Sequence, residues 1–296
     1  MSSAINLSLL NANTLLASTF SQTTYPVPQG GAAFKPLAGF EPVTVEPSAY
    51  GQQSSGFSAT TYVNVSTGQV VIAYRGSDTF GEAIGVATVS AVTGSWDLQF
   101  TDAVKYSVAA KAAALSVINA ERANTGQPLL ENVEPLLTGH SLGGLLSQVV
   151  SKMFGYEAVV YDSLGGGRLI GTAAYNELAQ QYAPKDENNN PREFNVEEKI
   201  TNFVTSSASD RGIQLGQTID IPALGQMGGG GMVATIAAFL VNPVAGFALA
   251  VTQKQIAQHG VLSIELAMYG LAALKPLVAD QGELKTQSMT LAQATG

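Results

Sequence analysis

Short apolar runs alternate along the chain with longer helical stretches. Four runs have the β-branched and aromatic composition of strands, and they occupy residues 57–65, 69–74, 158–161 and 200–205. Three longer runs have helical composition, and they occupy residues 102–124, 142–154 and 172–182. Strands that alternate with helices of this length indicate βαβ units. The pattern therefore predicts an α/β fold, with a mostly parallel central sheet and helices on both of its faces.

The chain shows no internal repeat and no clear linker, so we expect one domain over residues 1–296. A stretch rich in Pro, Gly, Gln and Ser falls within residues 1–56, and this part is predicted to be irregular. The core of the domain is expected over residues 57–265.

Composition and charge exclude several classes of protein. Hydrophobic residues make up 46% of the chain and charged residues only 12%, which excludes a disordered chain. The net charge of −8 gives no basic footprint for nucleic acid. The absence of cysteine excludes disulfides and thiolate sites, and two histidines are too few for a typical multi-histidine metal site. We expect neither a metal nor an organic cofactor.

The strongest chemical signal is a glycine-flanked serine, G-x-S-x-G, at Gly139, Ser141 and Gly143. An apolar strand precedes it and a helix follows. A serine on such a tight turn adopts a strained backbone conformation, and side chains two residues away would collide with the strand and the helix. The helix also directs its free N–H groups at the serine, so the Leu142 N–H is a natural donor to an oxyanion.

A serine nucleophile needs a base, which in this arrangement is histidine. The chain contains only His140 and His259. His140 adjoins the serine on the turn, so we expect its side chain to be directed away from the Ser141 hydroxyl. His259 follows the serine in the order expected for this fold and is therefore the predicted base.

The acid that orients this histidine should lie between Ser141 and His259. Four aspartates are candidates: Asp162, Asp186, Asp210 and Asp220. Asp186 lies in a polar loop, where solvation is the simplest role. Asp210 comes soon after the strand at 200–205, and catalytic groups of open α/β sheets cluster at the carboxyl ends of strands. This favours Asp210, and Asp162 and Asp220 remain alternatives.

Three blocks of sequence resemble one known family. They are VVIAYRGSD at 70–78, TGHSLGG at 138–144 and VTSSASDRGIQLG at 204–216. Together they are similar to the class 3 lipases, the fungal-type lipase family of the α/β-hydrolase fold, and the resemblance covers about residues 57–265. The second block matches the serine turn of the family throughout.

The resemblance implies a role for each matched residue. Ser141 would be the nucleophile, Asp210 the acid and His259, in a looser match, the base. Ser77 in the first block would supply the second oxyanion donor beside Leu142. The implied activity is hydrolysis of carboxylic ester bonds in lipids, of the triacylglycerol lipase or phospholipase type, with transient contact to a lipid interface.

Two apolar segments are candidates for a lid over such a site. Residues 80–96 directly follow the first block, where the resemblance places a lid. Residues 227–251 carry no charge, but Asn242 and Pro243 interrupt them, which predicts two short helices rather than a membrane span. Packing into the core is the alternative for both segments, and for Trp96 in particular.

The chain departs from the family in two respects. The sequence YDSLG at 161–165 replaces the usual Gly-x-Pro-Arg-x-Gly, and cysteine is absent although the fungal members are secreted with disulfides. A bacterial member fits better. No Lys or Arg precedes Lys35, so we expect secretion without a cleaved N-terminal signal, with a cytoplasmic location as the alternative.

Two other functions remain open from the sequence. The first is a small-molecule carboxylesterase in which residues 227–251 are buried. The second is a non-catalytic lipid-binding protein on a hydrolase scaffold, since a fold does not fix a function.

Overall fold

A computed structural model describes residues 17, 20–21, 39–46, 55–76, 90, 93–205 and 212–221 of the chain. These residues fall almost entirely in one of two compact units, which comprises Leu16–Phe203 and Asp210–Thr218. Most of residues 80–96 and all of residues 227–251 lie outside the described residues, so a lid at either place stays a prediction.

The described elements are seven strands and three helices of eight residues or more. The strands are β1 (Glu41–Val43), β2 (Ala59–Asn64), β3 (Gln69–Tyr74), β4 (Leu136–His140), β5 (Ala158–Tyr161), β6 (Ile200–Thr205) and β7 (Gln217–Ile221). The helices are α1 (Leu98–Asn124), α2 (Leu142–Phe154) and α3 (Ala173–Tyr182). The strands form one sheet in the order β1-β2-β3-β4-β5-β6-β7.

The sheet is mixed but mostly parallel. Strands β3 to β6 run parallel to one another, whereas β1 and β2 add to β3 as an antiparallel extension. The predicted α/β class and mostly parallel sheet are therefore confirmed. All but the first residue of β3 are buried, as is typical of a strand covered on both faces.

The three described helices lie on one face of the sheet, so helices on both faces stay a prediction. Each connects neighbouring parallel strands and steps in the same direction, and right-handed crossovers of this kind place their helices on the same face. Their buried side chains join one core cluster with Ile72, Leu137 and Val160 of the strands. On the opposite face, the Thr138 hydroxyl donates to the carbonyl of Ala17, which lies in the same part of the chain as the helical residue Phe20.

Most predicted boundaries agree with the structure. The bounds of β3, β5, β6 and α2 are those expected, and Gly155 ends α2 at φ 75° in the left-handed conformation. Helix α1 begins four residues earlier than predicted, because the Asp97 side chain accepts a hydrogen bond from the Gln99 N–H and caps it. Strand β1, within the part predicted to be irregular, and strand β7 were not expected.

Trp96, the last residue of the first apolar segment, packs into the core. Its ring contacts Phe100 and Tyr175, with centroid separations of 5.2 and 6.4 Å, and its Nε1 donates to the Thr101 hydroxyl at 3.0 Å. This confirms a packing role for Trp96. Across the described ranges, no helix combines the length and apolar character needed to cross a membrane.

Candidate active site

Ser141 occupies the junction between β4 and α2 in a strained conformation. Its backbone has φ 55° and ψ −118°, and φ in the left-handed region is uncommon for a residue other than glycine. Its N–H donates to the Tyr161 carbonyl at 3.0 Å, and its carbonyl accepts from Leu145 at 3.1 Å. The last hydrogen bond of the strand and the first of the helix thus both involve Ser141, which confirms the predicted turn.

The Ser141 side chain is not used to cap the helix. Serine at this position usually accepts a hydrogen bond from an N–H of the first helical turn. Here the hydroxyl makes no capping bond, and the residue is half-buried. The hydroxyl at this strained position therefore has no capping role in α2.

Lack of space explains the glycines on both sides of the serine. A Cβ on Gly139 would lie 2.3 Å from the Gly143 carbonyl carbon, and a Cβ on Gly143 would lie 2.2 Å from the Tyr74 carbonyl oxygen. A Cβ on Gly144 would lie 2.7 Å from the Cβ of Ser163. The predicted collision with the strand and the helix is confirmed. The contact with Ser163 leaves no space for a side chain at Gly144 either.

The first turn of α2 provides backbone donors beside the serine. The N–H groups of Leu142, Gly143 and Gly144 have no acceptor within the helix, because an α-helix leaves its first N–H groups without one. They lie at the positive end of the helix dipole. Leu142 is thus where the sequence predicts an oxyanion donor, and its side chain is buried.

The carboxyl end of β3 is held against this turn. Tyr74 pairs with Gly139 in the parallel ladder, and its carbonyl faces Gly143. The Tyr74 hydroxyl lies 2.6 Å from the Ser107 hydroxyl of α1. Burial raises the pKa of Tyr74 well above its usual value, so this anchoring side chain stays neutral.

Three of the predicted site residues, Ser77, Asp210 and His259, lie outside the described residues. His140 is half-buried and pairs with Tyr161 on β5. Side chains alternate along a strand, so His140 shares the sheet face of Thr138, opposite the crossover helices.

The alternative acids have different surroundings. Asp162 directly follows β5 with φ 42°, and its N–H donates to the Phe203 carbonyl at 2.8 Å. Asp186 is exposed, and its carboxylate accepts from the N–H groups of Asn188 and Asn190, in agreement with a solvated loop residue. The backbone of Asp220 belongs to β7.

A buried glutamine next to the turn escaped the sequence analysis. Gln148 of α2 has no exposed surface, and its amide makes four hydrogen bonds. Its Oε1 accepts from the N–H groups of Gly166 at 3.1 Å and Leu215 at 3.0 Å. Its Nε2 donates to the Ser163 hydroxyl at 2.9 Å and to the Gln214 Oε1 at 2.7 Å. The capacity of a primary amide is thereby filled.

The network extends from Gln148 to the next strand. Gln214 Oε1 also accepts from Asn202 Nδ2 at 2.7 Å, and Gln214 Nε2 donates to the Ser163 carbonyl at 3.0 Å. Asn202 is fully buried, and its Oδ1 has no hydrogen-bond partner in the described part of the chain. We call these four residues, Gln148, Ser163, Asn202 and Gln214, the amide network.

Neither a protein-family model nor a curated protein matches this sequence. Solved structures similar to it include the Lip2 lipase from Yarrowia lipolytica, with 13% identity and a TM-score of 0.41 over 75% of this chain and 82% of that chain. The nonglycosylated Yarrowia lipolytica LIP2 lipase gives 13% identity and a TM-score of 0.40 over 76% and 83%. The likeness is weak, and the strand order and crossovers given above define the fold without it.

Proposed function

We propose that this protein is a serine hydrolase that cleaves carboxylic ester bonds through Ser141. The observation that carries the proposal is the conformation of Ser141, held at φ 55° on a strand-to-helix turn with its hydroxyl released from capping. A backbone strained by about 1–3 kcal/mol persists where the surrounding structure enforces it, and such strain is typical of functional sites. Here the close contacts at Gly139, Gly143 and Gly144 hold the backbone in this conformation.

The proposed reaction is acyl transfer in two steps. His259 takes the proton of Ser141 as the hydroxyl oxygen attacks the ester carbonyl, and Asp210 stabilises the imidazolium. The tetrahedral intermediate collapses as His259 protonates the leaving alcohol. Water then attacks the acyl-enzyme, with His259 again taking a proton, and the carboxylic acid leaves as Ser141 regains its hydroxyl.

The N–H groups of Leu142 and Ser77 are proposed to hold the oxyanion. Leu142 begins α2 directly after the nucleophile. The backbone of Tyr74 and Arg75, just before Ser77 in the sequence, runs against Gly143, which supports a second donor from this block. Removal of one such donor typically raises the barrier by about 2.7–4 kcal/mol.

A lipid ester is the proposed substrate. The support comes from the three blocks of sequence and from the apolar segments, above all the uncharged residues 227–251. The leaflet or droplet that presents the ester would be the transient partner. Secretion belongs to the same proposal, and a cytoplasmic location is the alternative.

Substrate aggregation distinguishes a lipase from a small-molecule esterase. We expect the initial rate on a medium-chain triacylglycerol to rise steeply once its concentration passes the solubility limit, because an apolar lid opens at an interface. The measurement is fatty-acid release across that limit, with a fully soluble short-chain ester as control. Simple saturation below the limit, with no further rise above it, would favour the esterase.

The identity of the acid is tested by comparing two aspartates. Asp210→Ala is expected to lower kcat by about 10⁴-fold, because the imidazole loses the partner that orients it. Asp162→Ala, at the end of the neighbouring strand, is the matched control and should keep kcat within about threefold, a change under 1 kcal/mol. The reverse pattern would move the acid to Asp162.

A further inference from the structure

We propose that Ser107 of α1 is a positioning residue, which holds the end of β3 against the turn that carries Ser141. This inference rests on the proposed function. The Ser107 side chain would not touch the substrate, because it is buried in the core between α1 and β3.

Two hydroxyl groups connect the end of β3 to the backbone of α1. The Ser107 hydroxyl donates to the Ala103 carbonyl, one helical turn earlier, at 2.5 Å. A hydroxyl has one proton, so Ser107 can only accept from the Tyr74 hydroxyl, which lies 2.6 Å away. Tyr74 is therefore the donor, and the direction of both hydrogen bonds is fixed.

Tyr74 also contacts both glycines that flank Ser141. Its backbone pairs with Gly139 in the parallel ladder, and its carbonyl oxygen would lie 2.2 Å from a Cβ on Gly143. Contacts this close leave no gap that could take up a displacement of Tyr74. A shift of this residue would therefore be passed to both sides of the turn, and to the first N–H groups of α2.

The end of β3 is connected to the same helix by a second, longer route. The Arg75 N–H donates to the Ser58 carbonyl at 2.9 Å, and the Arg75 guanidinium donates to the Gly56 carbonyl at 3.2 Å. The Ser55 hydroxyl then donates to the Asp102 carboxylate of α1 at 2.6 Å. Helix α1 is thus the common support of this strand end, and the hydroxyl pair is its direct connection.

The hydroxyl pair specifies position better than the apolar contacts around it. Other buried residues of α1, among them Ala103, Val104 and Ala110, contribute apolar contacts to the core. Such contacts are non-directional, whereas a hydrogen bond between hydroxyls holds only near about 2.7 Å and close to linear. Helix α1 has a further pair of this kind, in which the Tyr106 hydroxyl lies 3.0 Å from the Thr61 hydroxyl of β2.

The test removes the hydroxyl pair in three ways, by Ser107→Ala, by Tyr74→Phe and by the double variant. We expect each to lower kcat on a soluble p-nitrophenyl ester by about tenfold, with KM within about twofold. A misplacement of about 1 Å costs about 100-fold in rate, and loss of one support should move the turn by less. The double variant should be no slower than either single variant, because all three break the same connection. Values of kcat are expressed per Ser141 that reacts with a fluorophosphonate, so that unfolded protein is not counted.

Stability should follow a different order, which separates positioning from destabilisation. Ser107→Ala leaves the buried Tyr74 hydroxyl without its acceptor and should lower the denaturant midpoint of unfolding. Tyr74→Phe and the double variant bury no such group, so their midpoints should stay closer to that of the wild type. Recovery of kcat together with the midpoint in the double variant would overturn the inference, because the role of Ser107 would then be stability alone.

Tyr106→Phe is the matched control. It removes a hydroxyl from the neighbouring residue of the same helix and takes its partner from the buried Thr61 hydroxyl. The denaturant midpoint should fall about as much as in Ser107→Ala. The value of kcat should stay within about twofold of the wild type, because the lost bond ends on β2, two strands away from β4.

The rate at which the fluorophosphonate modifies Ser141 is a second readout, which does not depend on the ester chosen. It should fall by about tenfold in the three variants and stay unchanged in Tyr106→Phe. Wild-type rates in the three variants, or an equal loss in Tyr106→Phe, would overturn the inference and leave the proposed function standing. A wild-type protein in which Ser141 does not react would instead overturn the proposed function, and the inference with it.

Discussion

Ser141→Ala is expected to lower ester turnover by about 10⁶-fold. Without the hydroxyl no acyl-enzyme forms, and the remaining groups have no nucleophile to activate. The substitution keeps the Cβ, so the backbone conformation at φ 55° is retained. The hydroxyl caps no N–H of α2, so the free energy of unfolding should change by less than about 0.5 kcal/mol.

Ser151→Ala is the control, for which we expect lower stability and unchanged turnover. The Ser151 hydroxyl is buried and donates to the Tyr156 carbonyl at 2.6 Å, near the other end of the same helix. Its removal should cost about 1 kcal/mol of stability and leave turnover unchanged. Ester hydrolysis by Ser141→Ala above about one per cent of the wild-type rate would contradict a nucleophilic role for this serine.

Gly143→Ala is expected to lower turnover by about 100-fold and to destabilise the fold by about 1–3 kcal/mol. The added Cβ would lie 2.2 Å from the Tyr74 carbonyl oxygen and 2.9 Å from the Arg75 carbonyl carbon. Both are backbone atoms, which cannot move aside as the end of a flexible side chain can. The first turn of α2 and the end of β3 must therefore separate, and the two sources of oxyanion donors separate with them.

Gly126→Ala distinguishes this crowding from the general cost of replacing a glycine. Gly126 has φ 69°, and a Cβ there would meet no atom within 4 Å. The substitution should cost about 1–2 kcal/mol through its left-handed conformation and leave kcat unchanged. The measurement is kcat per reactive serine together with the free energy of unfolding from denaturant titration. Equal kcat for Gly143→Ala and the wild type would show that the turn does not organise the site.

The parts of the fold predicted best are those where several local signals agree. In α2, an apolar helical run follows the serine turn and ends at Gly155, which has the left-handed conformation that favours glycine. The run at 69–74 is buried at every residue but the first, so its composition alone identifies a central strand. The strain at Ser141 was predictable for the same reason, because the glycines around it fit only one type of turn.

Edge strands were missed because their local signals are weak. Strand β1 is three residues long, contains Pro42 and has two exposed residues of its three, which a sequence cannot distinguish from a loop. Its stability comes from pairing with β2. Proline is tolerated there because an edge strand leaves one row of N–H groups unpaired.

The amide network could not be predicted, because it depends on distant contacts. The partners of Gln148 lie 15, 18, 66 and 67 residues away along the chain. In the sequence, a glutamine on an apolar helix indicates an exposed position. Gln148 is buried and fully hydrogen-bonded only because the stretches after β5 and β6 approach each other closely, which Gly165 and Gly167 allow.

The reactivity of Ser141 is the central claim, and a fluorophosphonate probe tests it most directly. The probe forms a stable phosphonyl ester only with a serine whose proton is taken up as it attacks, with loss of fluoride. Mass spectrometry of the labelled, digested protein should find one modified peptide, containing Ser141, and should find none in Ser141→Ala. Failure of the wild-type protein to react, with or without lipid present, or modification of another residue alone, would contradict the account.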